Sequence, residues 1–167
     1  GNDRERLQEA QQLRQLCTRF GALLIINDRV DLALAVDADG VHLGQEDMPS
    51  EVARALLGSA RLLGRSTHSI DQVHQAQQEP IDYLGFGPIH STAVKPERSA
   101  VGLESVRDAT ATSQRPVFAI GGITPTNLPA LIAAGGQRVA VIGAIMHADD
   151  VGQASRQLLQ HLDHPTS

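Results

Sequence analysis

The chain has 167 residues, of which 41% are hydrophobic, which suits one domain with a sizeable core. Its 14 Lys and Arg face 19 Asp and Glu, a net charge of −5, so there is no general basic surface for nucleic acid or anionic lipid, and any anion must be held locally. Aromatic residues make up 2% (three Phe, one Tyr, no Trp), which argues against base-stacking platforms and aromatic sugar clefts.

In chain order, Leu7, Ala10, Leu13, Leu16, Cys17 and Phe20 recur at helical spacing and end at Gly21, a natural C-terminal cap. The spacing predicts an amphipathic helix with Cys17 as a small buried hydrophobe on its apolar stripe. A single cysteine cannot form an internal disulfide, which points to a reducing cytosol. Short apolar runs follow at 23–26, 40–44, 62–65, 83–87, 117–121 and 139–143 and predict six strands. Helical spacing or capping signals occupy 50–57, 69–78, 102–109, 124–134 and 151–162. The helix at 124–134 is predicted to open on Thr124 and Pro125.

Strand and helix therefore alternate, and the strands read as continuous apolar runs, the pattern of a parallel sheet covered on both faces. Neither GxGxxG after the first strand nor GxxxxGK[ST] is present, which removes the usual loop signature of a doubly wound nucleotide-binding sheet. The alternation predicts an α/β protein of the (β/α)8 barrel type with six of eight strands, a single domain over residues 1–167. The opening helix would follow a barrel's second strand, so the first strand-helix-strand segment is expected to be missing and the chain to be a fragment. No apolar run reaches the roughly 20 residues of a membrane span, and the first residues, GNDRERLQ, carry no signal-peptide core. A cytoplasmic protein, bound to neither membrane nor nucleic acid, is expected.

In a barrel the loops after strands form the catalytic face, and the residues there are Asn27, Asp28, Gln45 to Asp47, Ser66 to His68, Ser91 to Arg98, Gly121, Gly122 and Gly143. Asp28 and Asp47, on successive strands, suit a Mg²⁺ ion that completes its shell with water and phosphate oxygens, and Glu46 is a further oxygen donor. Helix capping by the two aspartates is the alternative reading. Gly121 and Gly122, before Thr124 and Pro125, suit a phosphate cradled by backbone N–H groups, although glycines also serve tight turns. Lys95 and Arg98 are cations in the longest irregular connection, able to close over a diphosphate. Ser66 can donate to phosphate. His42, His68 and His90 lie on separate segments without metal-site spacing, which favours hydrogen-bonding roles.

Five stretches, IINDRVDLALAVDADGVHLGQEDMP, LLGRSTHS, DYLGFGPIHSTAVKP, VGLESVRD and FAIGGITPTNLPALIAAGG with VAVIGAI, resemble the thiamine phosphate synthase family along nearly the whole chain. The resemblance implies a (β/α)8 barrel transferase that joins an aminopyrimidine methyl diphosphate to a thiazole phosphate with Mg²⁺ and releases diphosphate. It implies Asp28 and Asp47 as the Mg²⁺ ligands, and Asn27, Ser66 and Lys95 as contacts to the pyrimidine diphosphate, with Lys95 and Ser66 acting in catalysis. Thr92, Ala93, Val94, Gly122, Ile142 and Gly143 match positions that hold the thiazole phosphate.

This chain departs from the family pattern at Val94, often a Thr, and at Gly143, often a Ser, and it lacks the family's Gln-x-Arg-x-Lys motif. The expected chemistry is dissociative substitution, which needs charge stabilisation and positioning rather than a general base. Lys95→Ala is accordingly expected to lower turnover at least about a hundredfold, and wild-type turnover in that variant removes Lys95 from the mechanism. Two other functions are weighed: a thiazole tautomerase on the same barrel with His68 moving the proton, distinguished by Mg²⁺ dependence, and a non-catalytic phosphate-binding fragment, tested by size-exclusion behaviour. A homodimer is the expected assembly.

Overall fold

A computed structural model describes residues 1–91 and 99–163. Its elements alternate as expected: α1 (Asp3–Phe20), β1 (Ile25–Asn27), α2 (Val30–Ala35), β2 (Gly40–Leu43), α3 (Ser50–Leu57), β3 (Leu62–Thr67), α4 (Ile70–Ala76), β4 (Tyr83–Phe86), α5 (Gly102–Thr112), β5 (Val117–Ile120), α6 (Leu128–Ala133), β6 (Val139–Ala140), α7 (Gly143–Met146) and α8 (Val151–Asp163). The chain divides into two compact units, residues 1–66 with 79–83, and residues 67–78 with 84–167.

In the first unit β1, β2 and β3 are parallel, with Ile26 opposite Val41, and Val41 opposite Leu63. Parallel pairing requires a crossover between neighbouring strands, which α2 and α3 provide. Val41, Leu43, Ala53, Leu57 and Leu63 are buried, so strand and helix share one core. Arg14 ties α1 to this unit: its guanidinium donates to Asp39 Oδ2 at 2.6 Å, and the same oxygen accepts the Leu24 N–H at 2.7 Å. Those two donors hold the Asp39 carboxyl below its ordinary value, the backbone N–H contributing most.

The apolar stripe of α1 corrects one expectation. Only Ala10 of this helix is buried; Leu16 is 49% and Phe20 71% exposed, and Cys17 is half-buried rather than enclosed. Helical spacing identifies which side chains share a face. Burial requires another element against that face, and Leu16 and Phe20 stand where none covers them.

In the second unit β4, β5 and β6 are parallel, Phe86 lying opposite Ala119, and Ala119 opposite Val139. Leu84, Phe86, Val106, Leu128 and Leu131 are fully enclosed and join the strands to α5 and α6. Residues 124–134 are not all helical as expected, because α6 starts at Leu128. Thr124 and Asn127 close a reciprocal turn first: the Thr124 N–H donates to Asn127 Oδ1 at 2.8 Å and the Asn127 N–H to Thr124 Oγ1 at 3.3 Å.

Candidate active site

Parallel pairing puts the carboxyl ends of the strands in each unit on one edge, and that edge carries the candidate residues. In the first unit Asn27 closes β1 and is exposed. Asp28 follows at φ 64°, in the left-handed region where Asp is among the more tolerated side chains, and its N–H donates to the His42 carbonyl at 2.8 Å. The N-cap of α2 is Arg29 and that of α3 is Pro49, so neither Asp28 nor Asp47 is a capping residue. Instead Asp47 closes the turn after β2: its Oδ2 accepts the Gly44 N–H at 2.6 Å, and its own N–H donates to the Gly44 carbonyl at 3.3 Å. Glu46 beside it is exposed.

Ser66, near the end of β3, has its Oγ 2.9 Å from His42 Nε2, and its carbonyl accepts from Gln45 Nε2 at 2.6 Å. His42 Nδ1 lies 3.2 Å from the Tyr83 hydroxyl, with the rings stacked 5.5 Å apart. Between them Gly64 has a packing role, since a Cβ there would run into the Tyr83 ring and His42 Nδ1. Burial pushes the His42 imidazole below its ordinary value, Asp47 opposing this and Arg65 adding to it, and burial together with the charge of Asp82 pushes Tyr83 up to about 12. A neutral imidazole can donate through one nitrogen and accept through the other, which matches its two hydroxyl partners.

Stability should depend on pH through this histidine. An imidazole whose pKa falls on folding is uncharged in both states above the ordinary 6.5, so its contribution is complete there and is lost as pH falls through the lower folded value. The urea midpoint of the wild type should therefore drop as pH falls below about 6.5, and that of His42→Gln should drop less steeply. Parallel pH profiles for the two proteins would contradict a neutral buried His42.

In the second unit the ends of β4 and β5 are joined by backbone bonds: the Ile89 N–H donates to the Ile120 carbonyl at 2.9 Å and the His90 N–H to the Gly121 carbonyl at 3.1 Å. Gly121 and Gly122 take φ of 99° and 62°. A Cβ on Gly122 would sit 2.7 Å from both His90 Cβ and the Ser91 carbonyl oxygen, and the Gly122 carbonyl is held by Asn127 Nδ2 at 2.8 Å. Ile142 is the N-cap of α7 and is 52% exposed; Gly143 is the first residue of α7. His68 has its Nδ1 hydrogen-bonded with the Gly87 carbonyl, while its N–H donates to Gln72 Oε1. Thr92, Ala93, Val94, Lys95 and Arg98 lie outside the described residues.

Sequence reasoning did not single out Tyr83, Arg65 or Glu79. Arg65 is 9% exposed, its Nη1 donates to the Gly44 carbonyl at 2.7 Å, and its Nε is 3.4 Å from Glu79 Oε2. Charged residues of this kind normally stand in solvent, so sequence gives no sign of their burial. A surface cavity of about 330 Å³ beside Ser113, Arg115 and Arg138 contains none of the candidate residues. It sits at the amino end of β5, away from the loops that follow the strands, and Arg115 there donates to the Gln77 carbonyl at 3.1 Å. Among the described residues no group of three or more His, Cys, Asp or Glu is arranged to hold a metal, and no helix is long and apolar enough to cross a membrane.

Two units of parallel strands with crossover helices, presenting aspartates and paired glycines after the strands, define an α/β protein of the (β/α)8 barrel class with six strands present. Residues 1–145 match the thiamine monophosphate synthase family, to which the chain belongs. It is 84% identical over 166 residues to the thiamine-phosphate synthase of Synechococcus sp. (strain CC9605), covering 99% of this chain and 47% of that protein. To the thiamine-phosphate synthase of Parasynechococcus marenigrum (strain WH8102) it is 62% identical, covering 99% and 48%. The chain thus spans about half the length of the curated relatives it matches. The solved thiamine phosphate pyrophosphorylase of Pyrococcus furiosus superposes with a TM-score of 0.92 at 38% identity, over 100% of this chain and 80% of that one.

Proposed function

We propose that the protein is a transferase that condenses the diphosphate of a hydroxymethyl-aminopyrimidine with a thiazole phosphate, giving thiamine phosphate and diphosphate. The observation that carries this reading is the family match over residues 1–145, with Asp28 and Asp47 at the ends of adjacent parallel strands. Both supply hard oxygen donors, and the hydrogen bond to Gly44 engages only Oδ2 of Asp47, which leaves Oδ1 to face an ion. This donor set fits Mg²⁺, which takes one or two carboxylates and finishes its shell with water and phosphate. When bound, Mg²⁺ supplies positive charge to the departing diphosphate.

The rest falls to side chains and backbone. Asn27 and Ser66 orient the pyrimidine diphosphate, Ser66 with its Oγ set by His42, and Lys95 neutralises charge that builds on the leaving group. Thr92, Ala93, Val94, Gly122, Ile142 and Gly143 hold the thiazole phosphate, the last three largely through backbone N–H groups, so that the thiazole nitrogen meets the exocyclic methylene carbon of the pyrimidine. The tautomerase reading is not favoured: the relatives at 84% and 62% identity are named thiamine-phosphate synthases, and the Nδ1 of His68 is engaged by the Gly87 carbonyl.

Mg²⁺-dependent formation of thiamine phosphate from the two phosphorylated precursors tests this reading, with circular dichroism to verify folding. Product that disappears on chelation is expected, and a folded protein that forms none overturns the assignment. Gly143 offers a sharper check, because among the described residues a Cβ there meets only His147 Nδ1, at 3.8 Å. Gly143→Ser therefore fits and adds a donor of about 1 kcal/mol, so KM for the thiazole phosphate should fall about fivefold. An unchanged KM would place the thiazole phosphate away from Gly143.

A further inference from the structure

We propose that Arg65, held by Glu79, is a positioning residue for Asp47, an inference that rests on the reading of Asp47 as a Mg²⁺ ligand. Successive residues of a strand point to opposite faces, so Arg65 lies on the face of β3 away from Ser66 and its partner His42. It therefore stands outside the row of groups that would meet substrate. What it touches is the turn after β2. Its Nη1 donates to the Gly44 carbonyl at 2.7 Å, and the N–H of the same Gly44 donates to Asp47 Oδ2 at 2.6 Å.

The Gly44 carbonyl also receives the Asp47 N–H at 3.3 Å, so Arg65 clamps the atom about which this turn closes. Gly44 itself cannot be replaced without disturbing the contact, since a Cβ there would lie 2.8 Å from Asp47 Oδ2. On the other side of Arg65, Glu79 Oε2 is an ion-pair partner at 3.4 Å, both side chains being largely removed from solvent. A buried ion pair is a weak source of net stability, because desolvation offsets most of the attraction. Such a pair gains its value here from geometry: it fixes a peptide unit that in turn fixes a carboxylate, the relation by which outer hydrogen-bond partners orient metal ligands.

The test uses Mn²⁺ as the probe, titrated into the full chain and followed by electron paramagnetic resonance of the free ion, alongside the Mg²⁺ dependence of turnover. Because Arg65→Met alone removes a cationic partner of the half-buried Glu79, the double variant Arg65→Met/Glu79→Gln carries the main comparison, with Arg65→Lys as the conservative rescue and thermal melting as the folding control. The double variant should melt near wild type and bind Mn²⁺ at least about tenfold more weakly. Its turnover should recover as Mg²⁺ is raised, and Arg65→Lys should fall between. A folded double variant with wild-type Mn²⁺ affinity, while Asp47→Asn loses binding, overturns the positioning role alone. Absence of saturable Mn²⁺ binding in the wild type, or binding that Asp47→Asn leaves intact, overturns the metal assignment and this inference with it.

Discussion

Asp47→Asn should abolish most Mg²⁺-dependent turnover, by about 10²- to 10³-fold, while the protein stays folded. The substitution separates charge from shape. Asparagine keeps a carbonyl oxygen that can accept the Gly44 N–H now held at 2.6 Å by Oδ2, so the turn after β2 survives. What it removes is the negative charge that a divalent ion requires. Asp47 is half-buried and caps no helix, α3 having Pro49 at its N-cap, so melting should move by no more than a few degrees. Steady-state rates over a Mg²⁺ series, with melting in parallel, make the comparison. A folded Asp47→Asn protein with more than about a tenth of wild-type turnover would remove Asp47 from the metal site. Asp28→Asn is the natural companion, because asparagine accepts the left-handed φ of 64° as readily as aspartate.

Gly122→Ala should damage both folding and phosphate binding at the site. At φ 62° an L side chain costs about 1 kcal/mol, and the new Cβ would meet the Ser91 carbonyl oxygen at 2.7 Å, an atom of the main chain that cannot rotate away. Overpacking of this kind adds about 1–3 kcal/mol. Relief requires the loop after β4 and the turn after β5 to part, and the bond from the His90 N–H to the Gly121 carbonyl would be stretched in doing so. A combined cost near 3 kcal/mol corresponds to roughly a hundredfold, shared between a lower melting temperature and a higher KM for the thiazole phosphate. Wild-type melting and KM in Gly122→Ala would show that the turn yields freely and that its geometry does not set phosphate binding.

Substrate chemistry and scaffold are joined in a simple way. The reaction proposed above, with diphosphate as its leaving group, needs charge and placement, and strand ends in a parallel arrangement can supply both from short segments. Asn27, Asp28, Asp47 and Ser66 all follow from where β1, β2 and β3 stop. Behind that row, His42 with Ser66 and Tyr83, and Arg65 with Gly44 and Glu79, hold the outer residues in position.

Much of this was legible in the sequence. Apolar runs marked all six strands because strands covered on both faces carry no polar alternation to confuse them, and Ser50–Leu57 emerged with the expected bounds. The loops after the strands then located the aspartates and glycines by position in the chain alone. Two helices escaped for want of signal: α2 is six residues long with an uncapped N-terminus at Arg29, and α7 is four residues long. Periodicity also placed Leu16 and Phe20 on one face of α1, yet it could not say whether anything covers that face, and they stand exposed.

The sequence by itself determined the strand-helix alternation and the family, and it named the candidate residues. Tertiary structure alone decided that His42 sits between Ser66 and Tyr83 and that Arg65 is buried against Glu79. The physical reason is range. Element type is set by neighbours within a few residues, whereas the burial, pairing and charge of a side chain are set by groups the fold brings in from 14 to 41 positions away, as Glu79 is for Arg65 and Tyr83 for His42.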